Sequence, residues 1–277
     1  MKIAVIGLGL IGGSFALEMK RLGHHVVGFE ADETHAKRAI ERRLVDQICT
    51  MDECIEVSDL LVLATPVDAI NALLPELLAK IKDHQVVIDF GSTKGAILAE
   101  ANKHVKRGRY VACHPMAGTE FSGPEAAVTD LFANKFVVIC DRDDSDADAL
   151  SLVNGIFDAL KMKTVHYSGD LHDIHAAFVS HISHISSFSL ALTVLEKEKN
   201  QKDIFQLAAG GFTSTVRLAK SAPHTWVPIF LQNRHHLLEV LQSHIEQLRA
   251  FELALSNNSA SSLQDLIERA NHIKKII

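Results

Sequence analysis

Apolar residues follow two regimes along the chain. Up to about residue 165, short runs rich in β-branched and other apolar residues recur at 2–6, 25–29, 60–64, 86–90, 109–113, 136–140 and 163–167. Between them, segments 33–43, 68–80, 94–104 and 146–160 mix apolar and charged residues at helical spacing. Such alternation predicts βαβ units and a doubly wound, mostly parallel sheet over residues 1–167. After Ser168 the strand signals stop, and long helical patterns follow at 170–199, 202–220 and 225–255, with a shorter one at 260–276. Residues 168–277 therefore read as an all-helical second domain. In its first helix Ala176, Ala177, Val179, Ile182, Ile185, Phe188, Ala191, Leu192 and Leu195 cover most of the circumference. Burial on several sides, and hence a subunit interface, is expected there. The only linker-like stretch, NNSASS at 257–262, separates the last two helices, and there is no internal repeat.

Composition narrows the class. At 277 residues and 47% hydrophobic content, the chain can bury a sizeable core. A net charge of -6 with scattered Lys and Arg gives no footprint for nucleic acid. Cys49, Cys54, Cys113 and Cys140 lack CxxC spacing and suit free thiols in a reducing compartment. The apolar start carries glycines in a nucleotide-binding pattern and no small-residue cleavage site. No stretch reaches about 18 uninterrupted apolar residues. A soluble cytoplasmic protein with no membrane partner is expected.

The first strand runs into Gly7-x-Gly9-x-x-Gly12, which opens a helix. A tight turn, a close backbone approach to pyrophosphate and helix packing each exclude a side chain there, and the helix N-terminus favours phosphate. A second strand ends at Glu30, 18 residues beyond Gly12. An acid there accepts hydrogen bonds from ribose hydroxyls and repels a 2′-phosphate, so NAD is expected over NADP. The bland alternative is a solvated turn at Glu30, with Asp32 as a helix cap.

Two further segments carry chemistry. DFGSTKG (89–95) and CHPMAGTE (113–120) follow the fourth and fifth strands, so Ser92 and His114 fall where a nicotinamide would lie. A histidine at a strand exit can take a hydroxyl proton near neutral pH. Gly118 allows close backbone approach. Ser92 could instead cap the helix that begins near Lys94. The segment 169–184 is dense in histidine, with His172, His175, His181 and His184; His181 and His184 share a face. Without HExxH or nearby thiolates no metal is expected. Arg217 lies among Val216, Leu218 and Ala219, which suits either a substrate carboxylate or an internal salt bridge. Trp226 fits a pocket wall or core.

Taken together, GLGLIGGS, DFGS-x-K, HPMAGTE, SHISH and GGF…RLA…W resemble, in order, the motifs of the prephenate/arogenate dehydrogenases over nearly the whole chain. The resemblance implies a Rossmann domain followed by a helical domain that forms a homodimer. It implies NAD-dependent oxidation of prephenate with loss of carbon dioxide, in tyrosine biosynthesis. His114 would then be the base for the ring hydroxyl and Ser92 the residue that orients it. Arg217 would hold a substrate carboxylate; His184, His172, Ser180, Trp226, Gly118 and Thr119 would line the substrate pocket. The cofactor set would be Gly7, Leu8, Gly9, Leu10, Ile11, Gly12, Glu30, Thr65, Pro66 and Ser92. SHISH lacks the proline of the usual SHLPH, and GFTSTVR lacks the usual basic residue and acid before the arginine. The second histidine of SHxxH favours prephenate over arogenate or dual specificity. The length leaves no room for an ACT or chorismate mutase domain, so any inhibition by tyrosine would have to act near the active site. The 3-hydroxyacid dehydrogenases share this architecture but use a lysine on the first long helix, where this chain has histidines. A pure NAD sensor would need neither His114 nor Arg217.

Overall fold

The structure is a computed structural model that describes residues 1–199 and 203–276. Strand β1 (Lys2–Ile6) leads through α1 (Leu10–Arg21), β2 (His25–Phe29), α2 (Glu33–Glu41), β3 (Gln47–Ile48) and α3 (Met51–Val57) to β4 (Leu60–Leu63). Next come α4 (Val67–Lys80), β5 (Val86–Asp89), α5 (Gly95–Ala101), β6 (Tyr110–Pro115), β7 (Phe136–Cys140), α6 (Ala147–Ala159) and β8 (Lys163–Tyr167). These strands form one sheet in the order β3-β2-β1-β4-β5-β6-β7-β8. Each neighbouring pair is parallel except β6 and β7.

Side-chain alternation explains why helices cover both faces. Ile3 and Val5 of β1, with Leu60 and Val62 of β4, join one core with Phe15 and Met19 of α1 and Phe157 of α6. Ala4, Ile6, Leu61 and Leu63 point the other way and join Cys54 of α3, Leu74 and Leu78 of α4, and Ile97 of α5. A central strand apolar at every position thus feeds two cores. All four cysteines are free and buried.

The remaining helices are α7 (Gly169–Ala176), a π-helical turn (Ala177–His181), α8 (Ile182–Glu198), α9 (Gly210–Thr215), α10 (Pro223–Gln232), α11 (Arg234–Ser256) and α12 (Ala260–Ala270). The long helix from α7 to α8 turns its small and polar residues inward: His172, Asp173, Ala176, Ala177, His181, His184 and Ser187 are buried. Its apolar side chains Phe178, Val179, Leu192 and Leu195 are half or more exposed in the single chain. By length and composition alone the span Gly169–Glu198 is long and apolar enough to cross a membrane, and 17% of its apolar window is buried within the chain.

Several elements differ from the sequence expectation. The two-residue edge strand β3 and the seven-residue α3 were not anticipated; Thr50 and Glu53 form a capping box that starts α3. The pattern at 202–220 begins on Lys202, outside the described residues, and breaks into a 3₁₀ turn (Ile204–Leu207), α9 and a second 3₁₀ turn (Arg217–Lys220). Gly210 and Gly211 weaken a continuous helix there. The helix expected at 225–255 is split at Asn233, and the last pattern leaves the α conformation after Ala270. In the first long helix, the π-helical turn interrupts the ladder at the SHISH segment, with no proline to cause it.

Candidate active site

The chain leaves β1 toward β2 on one side and reaches β4 on the other, which opens a crevice beyond the carboxyl ends of these strands. The loops there line a cleft of ≈ 440 Å³. At its floor, Gly7 adopts φ +92°, and a Cβ there would lie 2.7 Å from the Ala64 carbonyl oxygen. A Cβ on Gly12 would lie 1.9 Å from the Gly7 carbonyl oxygen. The two backbones therefore touch and leave no room for side chains. Gly9 differs: it stands at the N-cap of α1, and its Cβ would meet nothing closer than 4.0 Å. The bare space at the N-terminus of a 12-residue helix fits a pyrophosphate. On the same cleft, the buried Thr65 hydroxyl has no hydrogen-bond partner among the described residues.

Glu30 lines this cleft and holds the glycine loop in place, since its carboxylate accepts the Leu8 N–H at 2.9 Å and the Asp32 N–H at 3.2 Å. Asp32 separately caps α2 by accepting the His35 N–H at 2.8 Å. The leucine side chain at position 8 is packed in the core beneath. Leu10, Ile11, Pro66, Ser92, Gly118, Thr119 and Trp226 complete the expected residues on the cleft wall, together with His35 and Gly123, which the sequence did not single out.

Ser92 is half-buried in the loop after β5. It does not cap α5, whose N-cap is Lys94. Beneath it, the fully buried Lys94 ammonium pairs with Asp89 and donates to the Gly91 carbonyl at 2.7 Å. Asp89 also accepts from the Tyr110 hydroxyl at 2.6 Å and the Gly91 N–H at 2.8 Å. Each charge is therefore matched, as a buried ion pair requires. The loop holding Ser92 is tied down from below.

His114 lies at the end of β6, next to β5 in the sheet. Its Nδ1 is 2.8 Å from Nε2 of His172, whose Nδ1 is 2.8 Å from Oδ1 of Asp173. Burial, followed by the neighbouring His172, Lys94 and His181, pushes the His114 imidazole well below the ordinary histidine value. His172, expected on the pocket wall, instead stands buried behind His114. Burial also lowers His172 and takes His181 down to about 4. All three rings are thus neutral near pH 7.

The helical half closes the other end. Trp226 on α10 stacks on His184 with ring centroids 3.3 Å apart, and His181 meets the same indole edge-on at 6.1 Å. His184 Nδ1 is 3.0 Å from the Ser180 carbonyl oxygen. Arg217 is about half exposed and forms an ion pair with Glu120 at 2.7 Å. Of the two readings open for this arginine, the salt bridge is the one present. Its own backbone N–H and Arg217 hold the Glu120 carboxyl below the usual range. No group of residues suited to a metal ion occurs among the described residues.

This constellation can be matched to known proteins. The sequence fits the nucleotide-binding domain of prephenate dehydrogenase over residues 15–166. It fits the dimerization domain of prephenate dehydrogenase over residues 168–269. The chain belongs to the prephenate dehydrogenase family. As a prephenate dehydrogenase family member it is an NAD-dependent oxidoreductase. The prephenate dehydrogenase of Bacillus subtilis (strain 168) is 29% identical over 94% of this chain and 72% of that protein. The crystal structure of the Aquifex aeolicus prephenate dehydrogenase, in complex with hydroxyphenyl propionate and NAD+, superposes with a TM-score of 0.89 at 26% identity. That match covers 100% of this chain and 98% of the other. Synechocystis arogenate dehydrogenase gives a TM-score of 0.78 at 28% identity and covers 99% of each chain.

Several residues that shape the site were missed from the sequence. Asp173 and Glu120 stood inside quoted motifs, next to residues already singled out, but nothing local marks them as partners. Lys94 and Asp89 stood inside the DFGS-x-K motif, but only the fold shows that they form a buried ion pair. Asn233 was taken as helix interior, whereas its amide donates to the Asp173 carbonyl at 2.7 Å and meets His181 Nδ1 at 3.1 Å.

Proposed function

We propose that this chain catalyses the oxidative decarboxylation of prephenate to 4-hydroxyphenylpyruvate with NAD, in tyrosine biosynthesis. The observation that carries the reading is His114: a neutral imidazole at the end of β6, held through one nitrogen, on the strand next to β5 and its Ser92 loop. Bound at the glycine loop, NAD supplies the hydride acceptor. The residues of the chain do the rest. His114 takes the proton of the ring hydroxyl, and Ser92 orients that hydroxyl toward it. Departure of the ring carboxylate as carbon dioxide leaves its electron pair to make the ring aromatic. The step needs a positioned base rather than an activated nucleophile. Arg217 exchanges Glu120 for a substrate carboxylate, and the stacked His184 and Trp226, with Ser180, Gly118 and Thr119, form the wall around the side chain. Residues 1–167 serve the cofactor and 168–277 the substrate and the partner subunit. The apolar face of the long helix supports a homodimer, and four buried free thiols support the cytoplasm.

Arogenate is the second reading, and Glu120 favours it. A zwitterionic side chain presents an ammonium as well as a carboxylate, and the Glu120–Arg217 pair offers a partner for each. Turnover of prephenate and of arogenate, each with NAD and NADP, decides between them. Prephenate with NAD should give the fastest NADH formation. Faster turnover of arogenate would transfer the assignment to the amino acid, and no turnover with any pair would remove both readings.

A further inference from the structure

We propose that His172 and Asp173 are positioning residues that decide which nitrogen of His114 carries its proton and take up the charge that His114 acquires. The inference rests on the function proposed above, since it concerns how His114 serves as base.

The argument runs outward from the carboxylate. Asp173 is buried on α7, and its Oδ1 accepts the Lys94 N–H while its Oδ2 accepts the Gly95 N–H, each at 2.8 Å. Burial alone would raise this carboxyl, but the His172 hydrogen bond and these N–H groups outweigh it and hold it below the usual range. An ionised carboxylate only accepts hydrogen bonds, so His172 Nδ1, 2.8 Å from Oδ1, must be the donor. His172 is neutral, so its Nε2 is a bare lone pair. His114 Nδ1 faces that lone pair at 2.8 Å and must therefore carry the hydrogen. The remaining nitrogen of His114, Nε2, is left unprotonated. That is the state a base requires.

The charges around this chain leave one carboxylate free to act. Lys94 is neutralised by Asp89. His181, tied to Asn233, is neutral, and His184 is lowered by burial. Asp173 is the carboxylate that faces the two rings without a cationic side chain of its own. When the substrate O–H bond breaks, an N–H bond forms at His114 Nε2. The Nδ1 proton of His114 then passes to His172 Nε2, and the positive charge comes to rest beside Asp173. When the product oxygen regains its proton, both transfers reverse. No electrons move along the chain and no co-reactant is needed.

The test uses the full-length protein with ¹⁵N-labelled histidine. Wild type should show His114 protonated at Nδ1 and bare at Nε2; the opposite tautomer overturns the inference without any assay of turnover. Kinetics supply a second arm. Asp173→Asn offers an N–H where an acceptor stood and should reverse both tautomers, with kcat lowered by about 10²- to 10⁴-fold and KM nearly unchanged, as for the acid of a serine-protease triad. His172→Gln places a carbonyl oxygen near the lost Nε2 and should keep at least tenfold more kcat than His172→Leu, with an altered pH profile. Equal losses in the two, or a loss confined to KM, would mean that the pair only supports the fold. NAD binding and thermal melting confirm folding of each variant. If wild type turns over neither substrate, the proposed function fails while the tautomer measurement still decides this inference.

Discussion

The two halves of the molecule bury opposite things. The sheet half encloses its apolar residues in two cores, one on each face, with Phe15, Phe157 and Leu61 wholly shielded. Among the described residues, the helical half gathers Ala177, Leu237 and Val240 into a small buried apolar cluster and turns histidines, an aspartate and a serine inward along the α7–α8 helix. Val179, Leu192, Leu195, Leu238 and Leu248 lie outside. An exposed apolar face of this kind is the sort of surface that partners cover, and this half matches a dimerization domain. The sheet half is built to stand on its own fold. The helical half leaves an apolar face uncovered and buries polar side chains instead.

Four measurements can break or sharpen this contrast. The largest effect should come from the residue where the halves meet: His114→Ala lowers kcat by about 10²- to 10⁴-fold with little change in NAD affinity, and a change confined to KM would deny it the role of base. Next, Phe157→Ala should cost about 3–5 kcal/mol of stability. Chemical denaturation at two protein concentrations should show the same loss, because the cavity lies in a core made by one chain.

Acid should act through the buried histidines, His114 in the sheet half and His172, His181 and His184 in the helical half. His181 titrates at about 4 in the fold, against an ordinary value of 6.5. The unfolded chain therefore binds the proton first, and stability falls as pH drops from about 6.5 to about 4, by on the order of 3 kcal/mol for this imidazole. His181→Phe should flatten that slope; an unchanged slope would assign the acid sensitivity elsewhere. The smallest effect is expected of Leu192→Asp on the exposed face of α8. It should weaken self-association by about tenfold, or roughly 1.4 kcal/mol, with the melting of the sheet half unmoved. Sedimentation at several concentrations would show it, and an unaltered oligomer would place the interface on another face.

The contrast also explains what could be read from the sequence. Strands β1, β2, β4 and β5 were legible because strands buried on both faces are apolar almost throughout. The edge strand β3 pairs only through Gln47 and Ile48, too few residues to leave a pattern. Ser92 and His114 were legible because the ends of parallel strands are where ligands gather. The role of Asn233 was not, since its signal is the interruption of a helix by side-chain bonds to another helix. The link from Asp173 to His114 was beyond reach for a different reason: adjacency in sequence says nothing about which ring atom faces which, and only distances give the tautomer.

The π-helical turn at Ala177–His181 has a consequence of its own. Such a turn holds one residue more than an α-helical turn, so it stores an insertion inside an otherwise regular helix. Each residue of an α-helix turns the chain by about 100°, and everything after Ala177 is rotated by that amount relative to everything before it. Upstream of the turn the inward stripe presents His172 and Asp173 toward the base; from the end of the turn onward it presents His181 and His184 toward Trp226. Removing one residue between 177 and 180 would let the helix relax to an even pitch, and His184 would swing out of the pocket while His172 stayed behind His114. The length of the segment is therefore fixed by the two tasks on either side of it.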